Sequence, residues 1–341
     1  MWGTLPARAV SVLNVAFVGS EGLAKSLGKS NDVRDIESYV HKEEKGGETR
    51  VLSILRPLKH PEKIRSLLSV LNVAEVGMLE IEMVDAALGE VLVSFGVSGI
   101  RNGVVIINPK EGGWVDSDQV RTILSQAGLG GWSLYESLPE PHDLREELYG
   151  YLEEAVENSD ERSLILPVDQ HFNVKGVGLV AIGYVQTGLV NKHDEVLILP
   201  ANERGVVRSL QVMDDDVDEA NTGDRVGVAL RNLREEALHR GCMITHPETD
   251  VLIRHDKSTL KIRSAPFQKR MLQVDDVIHA AVDLQFVVGR ITRVEGTELG
   301  VDWDSPLWVR KEGDSHILIT QLDAMPMRVM GVVEDIEVDG D

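Results

Sequence analysis

Residues near the start of the chain have the spacing of a phosphate-binding loop. Gly19 follows an apolar run at residues 12–18, and Lys25 and Ser26 come shortly after it. In such a loop, backbone N–H groups surround phosphate oxygens at the start of a helix, while the lysine reaches the outer phosphates and the serine binds Mg²⁺. Ala24 stands where the second glycine belongs, and its Cβ crowds the turn. The spacing predicts a phosphate site or, alternatively, a surface helix that begins at Lys25.

The sequence offers no second arrangement for covalent or metal chemistry. The single cysteine, Cys242, excludes an intrachain disulfide and favours a buried structural thiol over a nucleophile. The ten histidines have no metal-ligand spacing with Cys242 or with an acid, so we predict no metal site. The aspartates at residues 214–216 are typical of a turn, because a cation site would need further oxygen ligands.

The chain is strongly acidic, with a formal net charge of −21 at pH 7. Such a charge favours solubility and argues against non-specific nucleic-acid binding. One stretch of the second half is nevertheless basic and holds a single acid, Asp256. Its cations are Arg254, Lys257, Lys261, Arg263, Lys269 and Arg270. This stretch is either a solvated face or a contact with RNA phosphates.

The elements that would position the phosphate site follow from the apolar pattern of the first half. Short apolar runs alternate with segments of helical spacing, which is typical of an α/β domain with a parallel sheet and helices on its faces. The predicted strands are residues 12–18, 51–55, 91–95 and 104–107, and the predicted helices are residues 63–71, 120–127 and 144–157. A polar linker is predicted at residues 158–163.

From residue 164 onward the pattern changes to short strands separated by Gly, Asn and Asp. This texture is all-β and typical of closed antiparallel barrels. The predicted strands are residues 174–185, 195–199, 206–212, 225–230, 278–288, 290–294, 308–310, 316–320 and 327–333. A boundary at His246 and Pro247 separates two such units. No apolar run reaches the length of a membrane-spanning helix.

Two parts of this second half resemble a known family. Residues 168–190, 193–200, 223–231 and 240–241 resemble the second domain of the elongation factor Tu family, a β-barrel of translational GTPases. Residues 306–310 and 326–331 resemble the third domain of the selenocysteine-specific elongation factor and its relatives. The resemblance implies a P-loop-GTPase-like doubly wound sheet followed by two antiparallel β-barrels. The implied domains are residues 1–160, 161–247 and 248–341.

The resemblance also implies where GTP would bind, and several of those positions are altered. Arg56 stands for the family's Mg²⁺-supporting Asp, Lys59 for its γ-phosphate-sensing Gly, and His60 for the His near the attacking water. The guanine-reading motif retains Asn108, but Glu111 stands where its Asp belongs. Without metal support and a γ-phosphate sensor, a His has no activated water to organise, so we interpret His60 as a residual or structural side chain.

Four parts of one phosphoryl-transfer site are thus altered together, and such sites depend on all their parts at once. We interpret the first domain as a pseudo-GTPase that has lost GTP hydrolysis and has no catalytic residue. Gly19, Lys25, Ser26 and Asn108 remain candidate nucleotide-binding residues, and Thr49 is the candidate threonine of the first switch. GTP or GDP with Mg²⁺ is a cofactor only if the phosphate loop functions.

As a paralogue of these elongation factors, the protein is expected to bind tRNA or the ribosome, in the cytoplasm and away from membranes. Lys175, Asp224 and Arg225 correspond to the region of the family's pocket for the 3′ end of tRNA, although a tight turn with an exposed ion pair explains the last two equally. The second candidate RNA contact is Arg254, Lys257, Lys261 and Arg263. Two alternatives stay open: a divergent factor that still binds or hydrolyses GTP, and a protein–protein scaffold without an RNA role.

Overall fold

The computed structural model describes residues 10–157, 163–312 and 315–339. The chain divides into two compact units, Met1–Ser159 and Asp160–Asp341. The stretch predicted as a linker, residues 158–163, lies outside the described residues except for Ser163. Within the described ranges, no helix is both long and apolar enough to cross a membrane.

The N-terminal unit is a seven-stranded sheet with helices, which confirms the predicted GTPase-like α/β fold. Its elements are β1 Val10–Val18, α1 Glu21–Leu27, β2 Lys29–Val33, β3 Ile36–Lys45, β4 Glu48–Pro57, α2 Ile64–Leu71, β5 Val76–Ile81, α3 Ala86–Val97, β6 Asn102–Ile107, α4 Ser117–Gln126, β7 Ser133–Tyr135 and α5 Pro141–Glu157. The strand order is β2-β3-β4-β1-β5-β6-β7. Strands β4, β1, β5, β6 and β7 are parallel, whereas β2 and β3 add an antiparallel edge.

Two adjacent residues of β5 show how the sheet is covered on both faces. Met78 lies in the apolar core that α1 and α5 close on one face. Gly77 points to the other face, where an added Cβ would come within 2.1 Å of the Trp132 ring. Trp132 in turn packs edge-on against Phe95 of α3, with 5.2 Å between ring centroids. The parallel strands are therefore buried on both sides, as such sheets require.

The prediction of a strand at residues 91–95 is wrong, because these residues lie in α3. Asp85 starts this helix by accepting a hydrogen bond from the Leu88 N–H at 2.8 Å. The run from Glu90 to Phe95 is buried at every position, so it has no polar face from which a helical period can be read. The sequence pattern also missed β5, a strand buried along its whole length.

The second unit contains two closed six-stranded antiparallel barrels, as predicted. The strands of the first are β8 Leu166–Val174, β9 Gly178–Tyr184, β10 Leu189–Asn191, β11 Glu195–Leu199, β12 Glu203–Val212, β13 Asp215–Val217, β14 Glu219–Asn221, β15 Arg225–Arg231 and β16 Met243–Thr245. Strands β11-β16-β8-β9-β15-β12 form its wall, and a β11–β12 pairing closes it. The second barrel consists of β17 Leu252–Ser264, β18 Val277–Val282, β19 Gln285–Glu295, β20 Glu298–Arg310, β21 Leu318–Thr320 and β22 Val329–Val338.

The strand predicted at residues 278–288 is in fact two strands joined by a tight turn. Asp283 and Leu284 have φ values of 46° and 62° and reverse the chain between β18 and β19. Two consecutive positive φ values match the two-residue turn that suits the twist of a hairpin. Because neither residue is Gly or Asn, the turn carries a weak sequence signal.

Two local predictions concern the first barrel. Met213 and Asp214, with positive φ values, form the turn between β12 and β13, so the predicted turn at residues 214–216 is right for Asp214 and wrong for Asp215 and Asp216, which lie in β13. Cys242 is buried, and burial raises the pKa of its thiol to about 12. A thiol that stays protonated at neutral pH is a poor nucleophile, so its role is in packing. Among the described residues, no three His, Cys, Asp or Glu side chains converge to hold a metal ion.

Acid should destabilise the second barrel through His255. Its side chain is buried in β17, with Nδ1 3.1 Å from Ser258 Oγ, and burial lowers the pKa of His255 below its ordinary 6.5. The unfolded chain therefore binds a proton at this histidine more readily than the folded chain does. The contribution of neutral His255 to the free energy of unfolding is complete above pH 6.5 and is lost as the pH falls from there through the lowered pKa. Urea unfolding midpoints followed by tryptophan fluorescence across this pH range should show a shallower slope for His255→Gln. The exposed His239→Gln is the control, and equal slopes in the two variants would contradict this role.

Candidate functional site

The connection between β1 and α1 is a two-residue turn followed at once by helix. Ser20 is the N-cap: its Oγ accepts a hydrogen bond from the Leu23 N–H at 3.2 Å, and its carbonyl accepts one from the Ala24 N–H at 3.3 Å. A serine followed by Glu21 is a strong helix-start signal, and alanine favours the helix over glycine. The helix therefore begins at Glu21, four residues before the predicted start at Lys25. Residues 21–24 are helical where a phosphate loop would need an open turn.

Gly19 is required by close packing. A Cβ added there would lie 2.4 Å from the Phe17 ring and 2.7 Å from Glu80 Cβ. Real Cβ atoms do not approach other heavy atoms this closely, so even alanine would force a shift. Ala24 is also fully buried and packs into the core beside α5. Packing alone therefore explains why glycine stands at position 19 and alanine at position 24, and it requires no bound phosphate.

A carboxylate of the chain itself lies at the end of β1. Glu80, near the end of β5, is 6% exposed. Its Oε2 accepts a hydrogen bond from the Ser20 N–H at 2.6 Å, and its Oε1 accepts one from Asn108 Nδ2, also at 2.6 Å. Hydrogen bonds to an ionised carboxylate are short and strong. The backbone amide after Gly19 and the side chain of the guanine-motif asparagine are therefore both bound to an internal anion.

The guanidinium of Arg56, predicted to stand for a metal-supporting aspartate, binds two groups of the chain. Arg56 Nε donates to the carbonyl of Gly19 at 2.8 Å, and its Nη1 donates to Glu37 Oε2 at 2.5 Å. Tyr39 Oη donates to the same Glu37 oxygen at 3.2 Å. Burial and the neighbouring Glu37 carboxylate raise the pKa of Tyr39 to about 12. The arrangement joins β1, β3 and β4 through one cation and one anion.

These contacts decide whether a nucleotide fits. Triphosphate binding uses free backbone N–H groups, a divalent cation and an oxygen ligand for that cation. Here the N–H groups of Ser20, Leu23 and Ala24 already have protein acceptors, and Arg56, which bonds the Gly19 carbonyl, offers a cation where the resemblance implies an oxygen ligand. The residues present do not fit a bound triphosphate with Mg²⁺.

The other predicted nucleotide residues are directed elsewhere. Lys25 Nζ lies 2.5 Å from Glu21 Oε1 on the surface of α1, and Ser26 Oγ donates to the Leu23 carbonyl at 2.7 Å. Thr49 Oγ1 donates to Glu44 Oε1 at 2.6 Å in the β3–β4 hairpin. The structure therefore brings Gly19 and Asn108 together around Glu80, and it does not bring Lys25, Ser26 or Thr49 there.

His60 also has a structural setting. Its Nε2 lies 3.3 Å from Oε2 of Glu90 on α3, and both side chains are 5% exposed. A histidine held by a buried carboxylate of a helix fastens the loop after β4 to α3. That His60 has only a structural role stays a prediction.

The predicted RNA contacts of the first barrel differ in accessibility. Lys175 is exposed at the tip of the β8–β9 hairpin, between the half-exposed Phe172 and Val177. Arg208 Nη1 donates to the Val177 carbonyl and holds this tip in place. Asp224 is only 4% exposed, and its Oδ2 accepts from the Asn221 N–H at 2.7 Å. The Asp224 carboxylate therefore stabilises the turn that contains it and is too buried to meet a ligand.

Arg225, next to Asp224, lies beside an aromatic ring of the same barrel. Its guanidinium carbon is 6.0 Å from the centroid of the Tyr184 ring, and its side chain is partly exposed. Strands β15 and β9 pair so that Arg225 lies directly opposite Tyr184. A cation over an aromatic face stabilises such a pair by about 0.5–1 kcal/mol at exposed sites. Packing within the barrel is a sufficient explanation for Arg225.

The basic stretch of the second barrel is interleaved with acids. Along β17, the cations Arg254, Lys257, Lys261 and Arg263 are all exposed. Arg254 pairs with Asp256 at 2.8 Å, Lys257 lies 4.0 Å from Asp302, and Arg263 lies 3.2 Å from Glu334. Lys261 is flanked in register by an acid on each neighbouring strand, Glu298 and Asp335. Binding to RNA phosphates needs a net positive field, which this pairing largely cancels.

Sequence reasoning missed Glu37, Tyr39 and Glu80. A signal existed for Glu80, which is the one acid in the otherwise apolar run at residues 76–81, because a buried carboxylate must find donors. Glu37 and Tyr39 have no comparable signal. Glu37 reaches Arg56 because the two lie opposite each other in the β3–β4 pairing, and that register is a property of the folded sheet.

Comparison with known proteins places these features in context. Residues 178–245 match the family model described as Elongation factor Tu domain 2. An uncharacterised protein of Methanocaldococcus jannaschii is 27% identical to this chain. The alignment covers 94% of this chain and 98% of that protein. The selenocysteine-specific elongation factor of the same organism is 32% identical, over 53% of this chain and 39% of its own length. The chain thus spans well under half of the named elongation factor.

Solved structures show a similar fold. The translation elongation factor SelB from Methanococcus maripaludis, in complex with the GTP analogue GppNHp, superposes with a TM-score of 0.76 at 20% identity, covering 97% of this chain and 80% of that chain. A bacterial selenocysteine-specific elongation factor, EF-Sec, superposes with a TM-score of 0.75 at 19% identity. The superposition covers 96% of this chain and 58% of that chain. At these identities the likeness concerns the fold.

Replacing Glu80 should destabilise the N-terminal unit. Glu80→Ala leaves the Ser20 N–H and the Asn108 amide without their acceptor, and each unsatisfied buried donor costs about 1–3 kcal/mol. Urea unfolding combined with hydrogen exchange in β1 and β5 measures the loss in this unit. The exposed Glu21→Ala removes the same kind of charge from the first turn of α1 and should lower the midpoint much less. A Glu80→Ala variant as stable as the Glu21→Ala variant would refute the anchoring role of Glu80.

Proposed function

Because this chain belongs to the translational GTPase superfamily, we propose that it is a translation-factor-like binding protein that works without GTP hydrolysis. The observation that carries the proposal is the hydrogen bond from the Ser20 N–H to Glu80 at 2.6 Å. An internal carboxylate takes the amide that a phosphate would need. The binding of tRNA or the ribosome, in the cytoplasm, is the function that its relatives suggest for the remaining surfaces.

The absence of catalysis follows from the chemistry of phosphoryl transfer. That reaction depends on positioned phosphates, a metal ion and an oriented water acting together. At the corresponding positions this chain has the Glu80 carboxylate, the Arg56 guanidinium and a histidine held by Glu90. Replacing one of these three groups by the residue that a GTPase uses would not restore hydrolysis, because the other two would still be wrong and the effects of such residues are strongly non-additive.

A fixed scaffold is the corresponding role for the N-terminal unit. In GTP-driven switches, contacts with the γ-phosphate and Mg²⁺ order the switch segments, which are released on hydrolysis. Here the β3–β4 region is tied to β1 by Arg56, which bonds Gly19 and Glu37. Unlike a γ-phosphate, which hydrolysis removes, Gly19 and Glu37 are part of the chain, so these contacts persist. The unit would therefore hold one conformation irrespective of nucleotide.

The surface that best suits RNA is the tip of the β8–β9 hairpin. Lys175 is exposed at the tip, and Phe172, 38% exposed, lies three residues before it in β8. Unpaired bases stack on aromatic side chains while neighbouring cations follow the phosphates. Strand β17 is the weaker candidate, because acids from β20 and β22 accompany its cations. We therefore assign the proposed tRNA or ribosome contact to the hairpin.

Calorimetry with guanine nucleotides tests the first half of the proposal. Titration of GTP or GDP in Mg²⁺ up to about 1 mM should give no binding heat, since an affinity weaker than this corresponds to less than about 4 kcal/mol. Phosphate release should stay at the level of a buffer blank. Micromolar affinity that disappears in Lys25→Ala, or clear multiple turnover, would instead establish a divergent GTP-binding factor.

RNA binding tests the second half. Filter binding of bulk tRNA and sedimentation with ribosomes across a salt series should show that Phe172→Ser with Lys175→Glu weakens binding roughly tenfold, because loss of one stacked base costs about 1–3 kcal/mol. Lys257→Gln with Lys261→Gln lowers the net charge by two, as the hairpin variant does; it is the charge-matched control on β17 and should have little effect. If the control weakens binding as much as the hairpin variant, the contact lies on β17. If neither tRNA nor ribosomes bind, a protein–protein scaffold is the better reading.

A further inference from the structure

Three loops meet at one edge of the N-terminal sheet and form what we call the carboxyl-edge surface. They follow β5, β6 and β7 at residues 82–85, 108–116 and 136–140. These strands are parallel neighbours whose ends are in register, with Ile81 opposite Ile107 and Ile106 opposite Tyr135. Since neighbouring strands lie about 4.8 Å apart, the three loops begin within roughly 10 Å of one another.

Large apolar side chains are exposed on each of these loops. Trp114 is 80% exposed, Met83 is 61% exposed and Leu138 is 49% exposed, and Val84 adds a further apolar side chain beside Met83. Single exposed apolar residues are ordinary, but a group of them that includes a tryptophan at one edge is typical of an interaction site. The apolar group is located where the strands end and is not needed to cover the core.

The same loops are strongly acidic. Among their eighteen residues, Lys110 is the only lysine or arginine, and its Nζ lies 2.9 Å from Glu82 Oε2. Arg121 of the adjacent α4 also reaches the third loop, with Nη2 2.9 Å from Glu136 Oε1. The carboxylates are Glu82, Asp85, Glu111, Asp116, Glu136 and Glu140. This concentration of negative charge exceeds that of the chain as a whole, with its net −21 over 341 residues. Such a field repels phosphates and attracts cations, so it selects the kind of partner.

The loops are held in place by hydrogen bonds. Asp85 caps α3 by accepting from the Leu88 N–H at 2.8 Å, and Asp116 caps α4 by accepting from the Asp118 N–H at 3.0 Å. The Asn108 N–H donates to the Ile81 carbonyl at 3.0 Å, which ties the second loop to the first. A surface that is already ordered loses less entropy when a partner binds.

We propose that the carboxyl-edge surface binds a basic protein segment that carries an apolar side chain. The apolar side chain would pack against Trp114, Met83 and Leu138, while lysines or arginines of the partner pair with the surrounding carboxylates. An arginine stacked on the Trp114 ring adds a cation–π contact. Buried tryptophans at the centre of an interface commonly dominate its binding energy. The assignment goes beyond the proposed function and depends neither on nucleotide nor on the barrels.

A labelled peptide tests this surface on the full chain. The probe is a fluorescein-labelled amphipathic peptide of lysine and leucine, and its counterpart has glutamate in place of lysine. Fluorescence anisotropy should show that the cationic peptide binds while the acidic one does not. Trp114→Ser should weaken binding about tenfold, the change expected for an interface hot spot of about 1.4 kcal/mol. Glu111→Gln with Glu136→Gln and Glu140→Gln should weaken it comparably.

Matched controls separate this site from diffuse attraction to an acidic protein. Phe267→Ser removes an exposed aromatic side chain from the second barrel, and Glu235→Gln with Glu236→Gln and Glu248→Gln removes three exposed carboxylates from the first barrel region. Both control variants should bind like the wild type. Equal losses in control and edge variants would overturn the proposal, because the attraction would then be diffuse. Displacement of the peptide by tRNA that requires Trp114 would also overturn it, by assigning the surface to RNA.

Discussion

The buried carboxylate of Glu80 sets the form of the N-terminal unit. A charge removed from water has to be hydrogen-bonded, because the protein interior otherwise offers nothing that replaces hydration. The Ser20 N–H and the Asn108 amide meet this need at 2.6 Å each, and they come from the ends of two different strands. Ser20 follows Gly19 of the predicted phosphate loop, and Asn108 belongs to the predicted guanine-reading motif. The chain supplies its own anion, so the strand ends are organised without an external one.

The Arg56 guanidinium complements that anion on the neighbouring strand. It links the Gly19 carbonyl to Glu37, and Glu37 also accepts from Tyr39. A two-state equilibrium is shifted only by a ligand that binds one state better than the other. Contacts made wholly within the chain are present in every molecule and provide no such bias. A scaffold that presents surfaces is therefore a more consistent role for this unit than a timed switch.

The distribution of charge explains which surfaces remain available for partners. On β17, cations alternate with acids of β20 and β22, so a basic stretch of sequence becomes a balanced surface in the folded barrel. At the carboxyl-edge surface, by contrast, six carboxylates accompany the exposed apolar side chains, and only Glu82 and Glu136 have described ion pairs, with Lys110 and Arg121. The β8–β9 hairpin exposes both Lys175 and, three residues earlier, Phe172. Three surfaces of one acidic protein thus differ in the chemistry they offer.

The sequence by itself determined the fold class, because alternating apolar runs and Gly-rich short strands reflect local burial that any single chain displays. It also determined that the nucleotide motifs are altered, since Ala24, Arg56 and Lys59 are visible by type. The α3 segment and the turn at Asp283 escaped it, because burial on all sides and positive φ at unusual residues leave little local pattern. Only the tertiary structure decided which polar groups meet at the strand ends. Glu80, Asn108 and Ser20 are distant in sequence, and the register of parallel strands is what brings their polar atoms within hydrogen-bonding distance.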